Sequence, residues 1–209
     1  MFFVFEGIDG SGKSTQAARL AEALEARGIA VARARDPGGT PLSDRIRALL
    51  LDPDTSIAPS TELCLYAAAR AQLVAEVIRP ALDAGKVVVY DRFTWSTWAY
   101  QGAGRGQDAA HIARLEDVSC AGLRPSHVFL LDLDPARRAE RLRLAGKTLD
   151  RLEREGEAFY ARVRQGFLDL AASRPGEGTV LDASRPADAL HAEIVAKAME
   201  IFSKKPSAR

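Results

Sequence analysis

Nine residues, Gly7-Ile8-Asp9-Gly10-Ser11-Gly12-Lys13-Ser14-Thr15, restrict the fold of this chain more than any other stretch. They fit the spacing G-x-x-x-x-G-K-[ST]. An apolar run, Phe2-Phe3-Val4-Phe5, precedes them, and a helical pattern from Gln16 to Leu24 follows. Strand, glycine-rich loop and helix in that order form a phosphate cradle. The glycines let the backbone turn tightly, so that its N–H groups converge on anionic oxygens at the positive end of the helix dipole. The motif predicts a nucleoside triphosphate ligand, with Lys13 on the β- and γ-phosphates and the Ser14 hydroxyl on Mg²⁺.

The rest of the chain alternates apolar runs with helical patterns. Runs at Ile29–Ala34, Val87–Tyr90, His127–Leu133 and Thr179–Asp182 read as further strands. Helices are expected at Pro41–Leu51 (Ile46, Leu49 and Leu50 inward), Thr61–Ala84 (N-cap Ser60, Pro80 ending or kinking the last turn), Phe93–Gly102 and Ala109–Ala121. Others are expected after Pro135, at Phe159–Ala172 and at Pro186–Phe202. Ala103–Gly106 reads as a flexible break. Gly146–Gly156, short and charged, reads as a mobile lid without a buried face, and 203–209 as a disordered tail. Alternation with unbroken apolar strands predicts an α/β fold of three layers, a five-stranded parallel sheet with helices on both faces, in one domain over 1–202.

Composition narrows the class of function. With 209 residues and a net charge of +1, nothing argues for nucleic-acid or membrane partners. No run of about 18 apolar residues is present, and nothing ahead of the first strand reads as a signal peptide. Arg dominates the cationic residues, which suits bidentate phosphate contacts. Cys64 and Cys120 lack metal-ligand spacing and read as buried thiols of a reducing, cytoplasmic compartment. The chain contains no Asn, which excludes the guanine-reading Asn-Lys-x-Asp motif.

Five segments, in order and spacing, resemble one family. They are Phe5-Glu6 with the loop to Thr15, Arg35-Asp36-Pro37-Gly38-Gly39-Thr40, Tyr66-Ala67-Ala68-Ala69-Arg70, Asp91-Arg92-Phe93 with Ser96–Gly102, and Leu149-Asp150-Arg151. Together they are similar to the thymidylate kinases, over almost the whole chain. The resemblance implies transfer of the γ-phosphoryl group of ATP to dTMP, giving dTDP and ADP for dTTP synthesis. It also implies a homodimer packed through the long helices. The acceptor is an anionic phosphate oxygen, so no general base is needed, and His111, His127 and His191 lie outside every motif.

The resemblance assigns roles residue by residue. Gly7 to Thr15 hold ATP, with Arg141 stacked on adenine. Arg92 contacts the acceptor phosphate and the transferring group, and Asp91 orients Arg92 or a magnesium-bound water. Arg35 and Arg47 take the acceptor phosphate, and Asp36 stands where the family usually has Glu, facing a magnesium water or an arginine. Tyr66, where Phe is usual, stacks on thymine, and Arg70 donates to a base carbonyl; four residues apart, they share a helix face. Thr97 and Gln101 face the other base edge, Tyr100 packs where a ribose 2′-OH would sit, and Asp9 points to the 3′-OH. The phosphate loop carries no arginine, so Lys147 and Arg151 of the lid are expected to supply cations, Arg151 over the γ-phosphate. Another monophosphate or deoxynucleoside kinase, with Asp36 as base, remains an alternative, as does a nucleotide-dependent switch ATPase.

Overall fold

A computed structural model describes residues 1–146 and 148–204. The chain runs through β1 (Phe2–Glu6), α1 (Lys13–Glu25), β2 (Val31–Arg35), α2 (Pro41–Leu51) and α3 (Pro59–Leu73). A π-helical stretch, Val74–Ile78, leads into α4 (Arg79–Asp83) and β3 (Val87–Asp91). The short α5 (Thr94–Thr97) continues as a second π-helical stretch, Trp98–Gly104. Then come α6 (Ala109–Cys120), β4 (His127–Asp132), α7 (Pro135–Leu144), α8 (Glu157–Ser173), β5 (Gly178–Asp182) and α9 (Ala187–Lys204).

The five strands form one parallel sheet in the order β2-β3-β1-β4-β5. The central strand β1 is buried throughout because helices cover both of its faces. Its C-terminal end, where the phosphate loop begins, is therefore flanked by the ends of β3 and β4. The edge strands depart from the expected apolar runs. β2 reads Val-Ala-Arg-Ala-Arg and is only partly buried, and Val180 on β5 is exposed. An edge has a neighbour on one side only, so polar residues are tolerated there.

Several local expectations are corrected. β2 starts later than expected, which makes Arg35 its last residue. The expected long helix runs on from α3 through a π-helical turn just before Pro80 into α4, the irregularity expected of that proline. Pro59 opens α3 behind Ala58, and Ser60 is not its cap. Leu49 is exposed, one step off the stripe on which Ile46 and Leu50 pack with Ala69 of α3. Cys64 is exposed, and only Cys120 is buried. Ala103-Gly104 is no flexible break. A Cβ on Gly104 would lie 2.7 Å from the Phe159 ring, and one on Gly166 would lie 2.6 Å from Ala103, so two glycines allow this segment and α8 to touch. The lid has a buried face, because Leu152 enters the main core and Glu153 is buried. Ser203 and Lys204 belong to α9, whereas the remainder of the expected tail, 205–209, and Lys147 lie outside the described residues.

Candidate active site

The phosphate loop is shaped by its glycines. Gly7 has φ 134°, and a Cβ there would lie 2.4 Å from the Leu131 carbonyl oxygen, so only glycine passes beneath the end of β4. Gly12, with φ 92°, caps α1 without a side-chain bond, which leaves first-turn N–H groups to face an anion. Lys13 is buried, and its ammonium donates to the Ile8 carbonyl oxygen at 2.8 Å. Burial and the nearby Arg92 push its pKa down to about 8, against the attraction of Asp9.

That value has a testable consequence. Above about pH 8, Lys13 is expected to be largely without its proton in the nucleotide-free protein. A triphosphate favours the charged form and raises the pKa. Binding of ATP is therefore expected to take up a proton, and affinity is expected to fall as pH rises through 8. Calorimetry in two buffers of different ionisation heat measures the uptake. A value near zero, or one unchanged in Lys13→Met, would sink this assignment.

Ser14 Oγ donates to Asp91 Oδ2, and Asp91 Oδ1 is buried without a partner. One hydroxyl and one carboxylate with a spare oxygen match the sparse protein ligation of Mg²⁺, which keeps waters and takes substrate phosphates. Among the described residues no cluster of three or more His, Cys, Asp or Glu is placed to hold a metal by itself. Thr15 follows on the exposed first turn of α1.

Arg92 joins the loop to the neighbouring cleft. It is a non-glycine residue at φ 68°, a conformation that costs about 1–3 kcal/mol and persists only when its surroundings impose it. Here the Arg92 amide donates to Phe5 O at 2.9 Å, and the following Phe93 amide donates to Glu6 Oε1 at 2.8 Å. Fully buried, Glu6 also accepts from the Ser96 amide and hydroxyl, at 3.2 and 2.5 Å. Burial raises its pKa against those bonds. The Arg92 guanidinium donates to Gly7 O (2.9 Å), Ser96 Oγ (3.1 Å), Asp9 Oδ1 (2.5 Å) and Tyr100 Oη (3.1 Å). Asp9 also accepts from the hydroxyls of Tyr100 (2.9 Å) and Tyr160 (3.2 Å). Burial alone would raise the Asp9 carboxyl, but Arg92 and Lys13 outweigh it and hold the group well below the carboxylate range.

Beyond Arg92 opens a cleft between the phosphate loop, α3 and the lid. Asp9, Asp36, Arg47, Tyr66, Arg70, Arg92, Thr97, Tyr100 and Gln101 line it together with Asp150 and Leu152 of the lid. Arg70 is held rigidly. Its Nε donates to Asp36 Oδ2 at 2.7 Å, and its Nη2 donates to Phe93 O (3.2 Å) and Thr97 Oγ1 (2.8 Å). Asp36 thus faces an arginine, and burial raises its carboxyl against the pull of Arg70. Arg47 donates to Pro37 O at 2.9 Å on the cleft rim. Tyr66 is half-buried, and burial together with Glu62 pushes its phenol far up.

Two expected residues lie elsewhere. Arg35 is exposed and lines an adjoining groove with Ser14 and Asp91, outside the cleft. Arg151 does not bond the phosphate loop. Its Nη2 donates to Glu62 Oε2 at 2.6 Å and its Nε to Leu50 O at 2.9 Å, so it ties the lid to α2 and α3. Arg141 does reach the loop, donating to Gly10 O (3.0 Å) and to Ala183 O (2.8 Å). No histidine lines the cleft. His111 is exposed, and His127 bonds Thr179 at 2.9 Å, its pKa pushed down to about 4 by burial.

Glu6, Glu62, Arg138 and Tyr160 were not singled out from the sequence. A carboxylate ending an apolar strand was the signal for Glu6. For Glu62 it was a spacing of four from Tyr66 and eight from Arg70, which places all three on one helix face. Tyr160 carried no such signal. It bonds Asp9 of the loop and Leu152 O of the lid, beneath the buried guanidinium of Arg138.

Comparison with known proteins agrees with this arrangement. A family model described as "Thymidylate kinase" matches residues 5–194. A protein named thymidylate kinase from Pelotomaculum thermopropionicum is 48% identical over 202 residues, covering 96% of this chain and 94% of that one. One of the same name from Deinococcus radiodurans is 50% identical over 200 residues, covering 96% and 97%. The crystal structure of thymidylate kinase from Ehrlichia chaffeensis superposes with a TM-score of 0.76 at 34% identity, covering 95% of this chain and 98% of that one. With a phosphate loop and a lidded second cleft joined by one arginine, and with likeness along nearly its whole length, this chain belongs to the thymidylate kinase family.

Proposed function

We propose that the chain transfers the γ-phosphoryl group of ATP to dTMP, with ATP on the phosphate loop and dTMP in the lidded cleft. The observation that carries this reading is Arg92. Its guanidinium spans from Gly7 and Asp9 of the loop to Tyr100 of the cleft, where donor and acceptor phosphates would meet. Two anions repel, so the work of the site is positioning and cationic stabilisation. Lys13 and Arg92 supply charge beside the transferring group. The monophosphate acceptor is ionised near neutral pH, and the lining of the cleft, without histidine, suits a reaction that needs no base.

Within the cleft, Tyr66 stacks on the base, Arg70, Thr97 and Gln101 bond its edges, and Tyr100 and Asp9 lie under the sugar. Arg47 takes the acceptor phosphate at the cleft rim, Arg35 reaches it from the adjoining groove, and Arg141 covers the ATP side. Asp36 Oδ2 accepts from Arg70 Nε, and its Oδ1 is buried without a partner. Arg151 of the lid enters the proposal as the cation that covers the γ-phosphate once ATP is bound; in this structure its guanidinium pairs with Glu62 Oε2. Ser14 and Asp91 would hold Mg²⁺, which neutralises phosphate charge when bound. A homodimer packed through the long helices is part of the proposal, supported by the outward Cys64 and Ala68 of α3 and Val118 of α6. So is a cytoplasmic location, supported by two free thiols. Among the described residues no helix is long and apolar enough to cross a membrane.

A coupled ADP-release assay with dTMP, thymidine, dUMP, GMP and UMP tests the reading. The highest kcat/KM is expected with dTMP. Faster turnover of thymidine would favour a nucleoside kinase, and ADP release that ignores every acceptor would favour a switch ATPase.

A further inference from the structure

We propose that Glu62 is a positioning residue that sets base selectivity by fixing the side-chain amide of Gln101; the inference rests on dTMP occupying the cleft. Glu62 is 1% exposed, on the α3 face that also carries Tyr66 and Arg70. Its Oε1 accepts from Gln101 Nε2 at 2.9 Å and from Arg105 Nε at 3.4 Å, and its Oε2 accepts from Arg151 Nη2 at 2.6 Å. The two guanidinium groups supply the counter-charge that a buried carboxylate needs. A carboxylate only accepts, so it draws the NH₂ end of Gln101 toward itself and turns the amide oxygen toward the cleft that Gln101 lines. On the other side, Arg70 has its Nε and Nη2 taken by Asp36, Phe93 and Thr97, and Nη1 is the donor it can offer. The cleft lining therefore offers an acceptor from Gln101 and a donor from Arg70. An imide N–H next to a carbonyl oxygen, as in thymine or uracil, complements both. Cytosine reverses both, with a bare ring nitrogen next to an amino group.

The test compares dTMP and 3-methyl-dTMP with the full chain, then takes Glu62→Gln and Gln101→Met through a double-mutant cycle. The wild type must first turn over dTMP; failure there would defeat the functional proposal and not the role of Glu62. The wild type is expected to lose about 100-fold or more in kcat/KM with the methylated base, because a buried acceptor is left unpaired. A loss under about threefold would overturn the inference. In Glu62→Gln the amide at 62 can donate or accept, so Gln101 loses its enforced orientation. KM for dTMP is expected to rise about tenfold with kcat within about threefold, and the double variant to be no worse in KM than Gln101→Met alone. Unchanged KM, or losses that multiply, would refute it. Glu62→Asp keeps the charge for Arg105 and Arg151 but draws the acceptor back from Gln101. It carries the same KM prediction if Glu62→Gln does not fold.

Discussion

Arg92→Ala is expected to lower kcat for ATP and dTMP by about 10³-fold or more, with a much smaller effect on ATP affinity. The guanidinium bonds Gly7, Asp9, Ser96 and Tyr100 at once, so it orders both halves of the site besides supplying charge. Arg92→Lys separates the two contributions. Lysine keeps the charge but has no planar fork to bridge loop and cleft, so it is expected to recover less than about a tenth of the lost rate. Single-turnover measurements at saturating substrates read the chemical step directly. Wild-type rates in Arg92→Ala would remove this residue from the mechanism, and with it the observation on which the proposed function rests.

Asp36→Ala is expected to be the most destabilising substitution in the cleft, at about 3–5 kcal/mol, because it leaves a buried guanidinium without its counter-ion. The side chains of Arg70 and Asp36 are 3% and 1% exposed, which leaves water little access to replace the lost partner. For a domain of this size that loss corresponds to a fall in Tm of about 6–20 °C. Calorimetry measures it, and KM for dTMP is expected to rise in parallel as Arg70 leaves its place on Thr97. A Tm within about 2 °C of wild type would mean that water or another acceptor takes over. Asp36→Asn, which can still accept one bond, is expected to fall between the two.

The sheet, the phosphate loop and most helices were legible in the sequence because each is written in local spacing. The errors cluster where neighbours decide. Leu49 fits an inward stripe, yet the packing of α2 on α3 uses Ile46 and Leu50 and leaves Leu49 in water. The lid reads as polar throughout, but Leu152 reaches the core between elements far away in sequence. Residues for the cleft could be named by resemblance, whereas their pairing could not. Glu62, in the first turn of α3, is the acceptor for three donors.

By itself the sequence determined that a phosphate loop follows the first strand and that a parallel α/β sheet carries it. Such features depend on residues within about a dozen positions of one another, where backbone geometry and hydrophobic period act directly. Only the tertiary structure decided that Asp9 holds Arg92, that Asp36 holds Arg70, and that Arg151 pairs with Glu62. These partners stand 83, 34 and 89 residues apart. Each is selected because a buried charge must meet an opposite one wherever packing brings it, and no local pattern along the chain records that meeting.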